Sequence, residues 1–297
     1  MSERLGQLDI VFVVDNTGSM GPYIHNVKTK ILEIIRTIKK EELCRRLRVG
    51  LVSYRDHPPE ESTYVTQKFE LSPDTAKIEQ NVMQMEASGG GDGPEAVSTA
   101  LQVMNKMEFL NDAAKVAVLI GDAPPHGVEN GDRWPQGTPD GANWEQESKK
   151  AFDKGIVIHT VGCFPEISNY QFGVATYEKI ASTSQGRFIP LEKAELLVNI
   201  ITGLAVEEID KIAIQKAILE DLGVSMEEFP ADKEFDASTI STLVAKAKKR
   251  GVTKRAMEMA PAGAPATTAA DLELAEQEVS EEDIREAVRQ LKSKSKK

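Results

Sequence analysis

Cysteine is scarce in this chain: there are two in 297 residues, Cys44 among charged neighbours and Cys163 in an apolar stretch. That argues against a disulfide framework and makes a reducing compartment the default. Positive charge is also in short supply. With 36 Lys and Arg against 47 Asp and Glu, the net charge is -11, the reverse of the basic footprint of a general nucleic-acid binder. An acidic surface instead suits a cleft that concentrates cations. No apolar run is long enough to cross a bilayer, and no GxxxxGK[ST] sequence is present to cradle nucleotide phosphates. The opening MSERLGQLDIVFVV has neither the basic leader nor the small-residue cleavage site of a signal peptide. The expectation is a cytoplasmic protein with no membrane or nucleic-acid partner.

The chain does have 40% hydrophobic residues, enough for a sizeable core. Near-continuous apolar runs of strand length fall at 8–15 (LDIVFVVD), 48–56 (RVGLVSYRD), 115–122 (KVAVLIGD) and 156–164 (IVIHTVGCF). Without polar alternation, such runs mark strands buried on both faces. RFIPLE at 187–192 reads as a fifth strand and KFELS at 68–72 as an edge strand. Helical spacing separates them. Ile24, Val27, Ile31, Ile34, Ile35 and Ile38 form one such set, and Ala96, Val97, Ala100, Leu101, Met104 and Met107 another. Further helices are expected over 143–154 and 170–185, the latter closed by Gly186 as a C′ glycine. Strands alternating with helices predict an α/β fold, a doubly wound, mostly parallel sheet flanked by helices.

Beyond Leu191 the pattern becomes helical, first in LLVNIITGLAVEEIDKIAIQKAILEDLG and then in STISTLVAKAKKRG at 238–251. APAGAPATTAA at 260–270 has no apolar periodicity and reads as a flexible linker. Past it, Ser280 and Asp283 resemble a capping box, and Ile284, Ala287, Val288 and Leu291 share one helix face. The expected division is an α/β domain over 1–206, a helical extension over 207–259, the linker, and over 271–297 a short amphipathic helix with a Lys-rich tail.

In a parallel α/β sheet, ligands collect beyond the carboxyl ends of the strands. Three loops at such ends carry oxygen donors: Asp15, Thr17 and Ser19 in DNTGS; Asp92 and Glu95 in SGGGDGPEAV; and Asp122 in IGDAPPHG. Each has an ordinary alternative. Asp15, Thr17 or Ser19 can cap the helix that follows, Glu95 can sit in a helix first turn, and Asp122 can form a turn. Together, carboxylates and hydroxyls without His or Cys make a hard ligand set. Such a set suits Mg²⁺, with Mn²⁺ or Ca²⁺ as substitutes, and disfavours zinc or copper. Alternate residues of an extended turn point one way, so Asp15, Thr17 and Ser19 can reach a single ion.

At these residues the sequence resembles the von Willebrand factor A (vWA) domain family over roughly residues 6–206. That family's metal-ion-dependent adhesion site reads Asp-x-Ser/Thr-x-Ser, then a second-loop ligand, then an Asp after a later strand. Asp15, Thr17, Ser19 and Asp122 match it. The second loop departs from the commonest form, a Thr after glycines. It looks like the Asp-x-Pro-Glu loop of integrin β-subunit I-like domains and of the vWA domains attached to amoebal α-kinases. By that likeness Glu95 contacts the metal, and Asp92 either joins it or holds an adjacent ion. The resemblance implies a protein-binding module in which a partner's acidic side chain completes the metal's coordination.

Other residues complete the reading. Arg133, Trp134 and Trp144, in the long loop after Asp122, are candidates for partner contact, or else the tryptophans pin that loop down. His57 and His126 read as supporting or surface residues, His159 as a core residue, and His25 as a helix position of no special role. EEDIREAVRQL at 281–291 is loosely similar to a ubiquitin-interacting motif, but Leu291 stands where that motif has Ser and lysines follow in place of acids. A packing helix, or one that docks a second partner, fits better. The expected function is non-enzymatic, divalent-metal-dependent protein binding by a scaffold or adaptor. The enzymatic alternative is an aspartate-nucleophile, Mg²⁺-dependent phosphatase, in which Asp15 would need a second Asp where Thr17 stands.

Overall fold

Every residue of β1 (Gln7–Asp15) is buried, because helices cover both faces of the sheet it occupies. Leu8, Ile10, Phe12 and Val14 join one core layer with α1 (Gly21–Lys40) and α6 (Ala194–Leu222). Val11 and Val13 join the other with α3 (Val97–Asn105), α4 (Trp144–Asp153) and α5 (Gly173–Thr183). The computed structural model describes residues 6–40, 43–91, 93–191, 194–257 and 274–295. Its six-stranded sheet has the order β3-β2-β1-β4-β5-β6. β2 (Arg46–Tyr54), β4 (Ala113–Gly121), β5 (Ile156–Cys163) and β6 (Phe188–Leu191) run parallel to β1, while β3 (Thr66–Ser72) is the antiparallel edge. The doubly wound, mostly parallel expectation is met. The order reverses at β1, which pairs with β2 on one side and β4 on the other. That opens the crevice where such sheets collect ligands.

Two local features differ from the sequence reading. Helix α2 (Thr75–Met83) was not expected, since it buries only Thr75, Ile78 and Val82 and shows little periodicity; Asp74 caps it. At the end of α5 the left-handed residue is Gln185, with φ 67°, not Gly186. Gln185 N donates to Ser182 O at 3.2 Å and Gly186 N to Ala181 O at 2.8 Å, the paired bonds of a Schellman motif. Gly186 is required for a different reason: a Cβ there would lie 1.9 Å from the carbonyl oxygen of Ile158 in β5.

α6 leaves the sheet and carries the C-terminal elements. Helix α7 (Ala237–Lys249) is capped by Asp236, which accepts from Thr239 N at 2.7 Å. β7 (Thr253–Met257) and β8 (Leu274–Glu278) pair antiparallel, two strands too short and polar to show in the apolar pattern. The expected linker at 260–270 lies outside the described residues. Helix α8 (Glu281–Ser295) begins with the anticipated box: Ser280 N donates to Asp283 Oδ2 at 2.8 Å, and Asp283 N to Ser280 Oγ at 3.3 Å. Its apolar face is fully committed, with Ile284, Ala287, Val288 and Leu291 buried in a third core against α6 and α7. The docking of that face on a second partner is therefore corrected, and the likeness to a ubiquitin-interacting motif leads no further. Arg255 pairs in two-pronged fashion with Asp210 of α6, at 2.6 and 2.9 Å. Gln290 donates to Gln185 Oε1 at 3.0 Å, joining α8 to the end of α5. No described helix is long and apolar enough to cross a membrane.

Replacing Gly186 with Ala is expected to lower the unfolding free energy by about 1–3 kcal/mol through overpacking against β5, whereas Gln185→Gly relieves the left-handed residue and leaves stability equal or higher. Leu291→Ala is expected to cost about 2–5 kcal/mol. Urea unfolding of the three variants against wild type checks each value.

Candidate metal centre

Asp15 ends β1 in full burial, and the chain turns immediately so that its side chain meets the next two hydroxyls. Asp15 Oδ1 accepts from Thr17 N at 2.8 Å and from Thr17 Oγ1 at 2.6 Å. Thr17 Oγ1 lies 3.1 Å from Ser19 Oγ. Ser19 Oγ in turn donates to Asp122 Oδ1 at 3.1 Å. A continuous line of oxygens thus joins two carboxylates 107 positions apart in sequence (122 − 15). The helix-cap alternative fails for Thr17, whose side chain makes no capping bond to the short 3-10 turn at 18–20.

Backbone bonds stitch the three loops together. Gly18 N donates to Gly89 O at 2.8 Å and Ser88 N to Asn16 O at 2.9 Å, so the glycine-rich loop lies against the first. Glu95 N donates to Pro124 O at 2.9 Å, which ties the second loop to the third. Glu95 is 2% exposed and precedes α3, whose N-cap is Ala96, so it is not a first-turn acid. Gly90, at φ 73°, brings it to the site: a Cβ there would sit 2.8 Å from Glu95 Oε1 and 3.1 Å from Thr17 Cβ. Asp15, Thr17, Ser19, Glu95 and Asp122 therefore line one spot. Asp92 lies outside the described residues.

The electrostatics of that spot are one-sided. Asp15 Oδ2 and Asp122 Oδ2 are both buried with no hydrogen-bond partner. Burial, followed by the charge of Asp122, raises the Asp15 carboxyl from 3.8 to about 8, and the bonds from Thr17, with a smaller contribution from the Tyr54 hydroxyl, offset only part of that. Burial likewise raises Asp122. Burial pushes up Tyr54, Tyr177 and Cys163 as well; the two carboxylates add to it, for Tyr54 after the neighbouring Tyr177 hydroxyl. An unpaired buried charge is expensive, and the donor set is oxygen alone, which is the chemistry of a hard divalent cation. Among the described residues no three His, Cys, Asp or Glu side chains form a metal-binding group. The donors here instead include two hydroxyls.

Around the rim, Arg133 is exposed and pairs with Glu60. Its guanidinium lies 5.7 Å from the centroid of the Trp134 ring, which packs nearly perpendicular to His126 with ring centroids 4.6 Å apart. Trp144 stands apart as the first residue of α4, half-buried against the second core layer. His159 is a core residue, with its Nδ1 accepting from Arg187 N at 3.1 Å and burial lowering it to about 3. Nothing in the sequence pointed to Gly90 as a spacer, or to the Tyr54–Tyr177 hydroxyl pair at 3.4 Å beneath the site. Nor did it point to Asp56 and Asp132, which flank His126. The Asp in YRDH and the Asp in NGDRW were the available signals, without periodicity to connect them.

The fold is a doubly wound α/β module whose crevice gathers carboxylate and hydroxyl side chains, and comparison with known proteins agrees with that fold. The von Willebrand factor type A domain profile matches residues 9–202, well over half of the chain. The chain belongs to that family. It is similar to "Alpha-protein kinase vwkA" of Dictyostelium discoideum, 32% identical over 41% of this chain and 19% of that protein. It is also similar to the "Putative ariadne-like RING finger protein R811" of Acanthamoeba polyphaga mimivirus, 28% identical over 40% of this chain and 11% of that one. The chain thus matches only a fifth or less of these curated relatives. In fold it is similar to the pilus adhesin SpaC from Lactobacillus rhamnosus GG, with a TM-score of 0.55 at 17% identity, over 70% of this chain and 30% of that one.

The pH dependence of the metal-free protein follows from Asp15. Its folded value, about 8, exceeds its ordinary 3.8. The stability held by its protonated form is therefore complete below the lower value and is lost as pH rises through the upper one. In EDTA, wild type should weaken relative to Asp15→Asn across that interval, as measured by urea unfolding at pH values spanning it.

Proposed function

We propose that the chain is a divalent-metal-dependent protein-binding module, a scaffold or adaptor in which Mg²⁺ is held by Asp15, Thr17, Ser19 and Asp122, with Glu95 and Asp92 contributing from the second loop. One observation carries the reading. Two fully buried carboxylates, each with an unpartnered oxygen, are joined through the hydroxyls of Ser19 and Thr17. A bound Mg²⁺ supplies the charge that makes ionised Asp15 and Asp122 tolerable, and it retains exchangeable positions for an outside ligand. The protein's own part is to hold the donors rigid by the loop-to-loop bonds and to exclude water beneath them with Tyr54 and Tyr177.

An acidic side chain of the partner is the ligand that matches an open cation position. Arg133 and Trp134 stand at the rim for further contact, and Trp144 borders a neighbouring groove with the exposed Phe172. The kinase named among the relatives matches over a small fraction of its length, so the reading assigns no kinase activity here. The phosphatase alternative lacks support as well, because Thr17 hydrogen-bonds Asp15 where that chemistry needs a second carboxylate.

The expected outcome is that Mg²⁺ or Mn²⁺ raises the thermal midpoint of wild type and perturbs tryptophan fluorescence, while Asp15→Ala shows neither response. A pull-down should release the same partner on EDTA treatment and with Asp122→Ala. A partner retained under both conditions sinks the proposal.

A further inference from the structure

Behind the metal loops lies a cluster that the site itself does not use. His126 is fully buried, with Nε2 2.6 Å from Asp56 Oδ1 and Nδ1 2.9 Å from Asp132 Oδ1. Ionised carboxylates only accept hydrogen bonds, and a neutral imidazole carries one N–H. A neutral ring would satisfy one partner and turn a lone pair on the other. The geometry as it stands calls for a proton on both nitrogens.

The position of this ring in the fold gives it leverage. Ala96 N donates to Arg55 O at 3.0 Å, joining the second metal loop to the end of β2, and Glu95 N donates to Pro124 O at 2.9 Å, joining it to the third. The His126–Asp56 contact closes the triangle between the third loop and the end of β2. On the other side Asp132 gathers the following segment, accepting from Gly127 N at 2.5 Å and Trp134 N at 2.8 Å. The charged and titratable groups facing the ring are Asp56 and His57 from the β2 side and Asp132 from the long loop. Trp134 packs perpendicular to the ring, Arg133 is turned to Glu60, and Asp140 is linked through Thr99 to His57.

Building on the metal-site reading above, we propose that His126 is a buried imidazolium clasped by Asp56 and Asp132, a positioning residue that holds the second and third metal loops in register. Metal affinity then falls when the ring loses its proton or either carboxylate. Burial alone would lower the ring, but the bonds and charges of Asp56 and Asp132 outweigh it and hold the ring above the ordinary imidazole value, in agreement with the geometry.

The test uses the full chain in two arms. Long-range proton–nitrogen NMR of the metal-free, labelled protein, with His126 assigned by its loss in His126→Gln, should show both ring nitrogens protonated at neutral pH. A single neutral tautomer overturns the clasp. Mn²⁺ titration should give an affinity weakened about tenfold in His126→Gln and in the milder Asp132→Asn, the scale usual for groups supporting a metal site. The affinity advantage of wild type over His126→Gln should also shrink as pH rises through the ring's titration, a comparison in which the deprotonation of Asp15 is common to both proteins. Wild-type affinity in both variants overturns the positioning role and leaves the metal site standing. No Mn²⁺ binding by wild type overturns the metal reading itself, and the positioning role with it, whatever the ring's protonation.

Discussion

Two carboxylates that cannot both be comfortable organise this structure. Asp15 ends β1 and Asp122 directly follows the adjacent parallel strand β4, at the point where the sheet order reverses, so their side chains share one buried space. Burial first, and then the charge of Asp122 on Asp15, raises proton affinity here, and burial together with these charges also pushes up the tyrosines and the cysteine beneath. The hydroxyls of Thr17 and Ser19 bridge the pair without neutralising it. Structures keep such strain where it serves a ligand, and a divalent cation is the ligand whose charge and hardness fit.

The surrounding architecture is consistent with holding that pair still. Two layers of mostly aliphatic side chains fix the strands from both faces. Short backbone bonds lace the three loops to one another, and Gly90 lets Glu95 approach Thr17 closely. Behind the loops, the Asp56–His126–Asp132 cluster adds a second charged arrangement of opposite design, with a cation already supplied by the protein. The molecule thus sets a deficit of positive charge at its surface crevice next to an interior cluster in which His126 is paired with an acid at each ring nitrogen.

The C-terminal part follows a different logic. α6 serves the sheet with its first half and a separate small core with its second. Ion pairs such as Arg255–Asp210, and the glutamine contact between α8 and the end of α5, tie that core to the α/β layers. An amphipathic helix that reads in isolation as a docking element is spent on internal packing. Amphipathicity reports that a face will be covered, not by what.

Much of the fold was legible in the sequence because burial on both faces leaves an unmistakable run of aliphatic residues, as in LDIVFVV and KVAVLI, and because helical spacing survives in Ile31, Ile34, Ile35 and Ile38. The hydroxyl and carboxylate donors of the first and third loops were legible too, since they lie at strand ends in a short pattern. What the chain could not announce were contacts between distant residues that follow no period. That position 186 has no room for a side chain depends on a carbonyl in β5. Which acids flank His126 depends on how two long loops fold over one another. Local preference dictated the elements; only their packing decided which polar atoms would be buried together, because burial is a property of the assembled layers and not of any one segment.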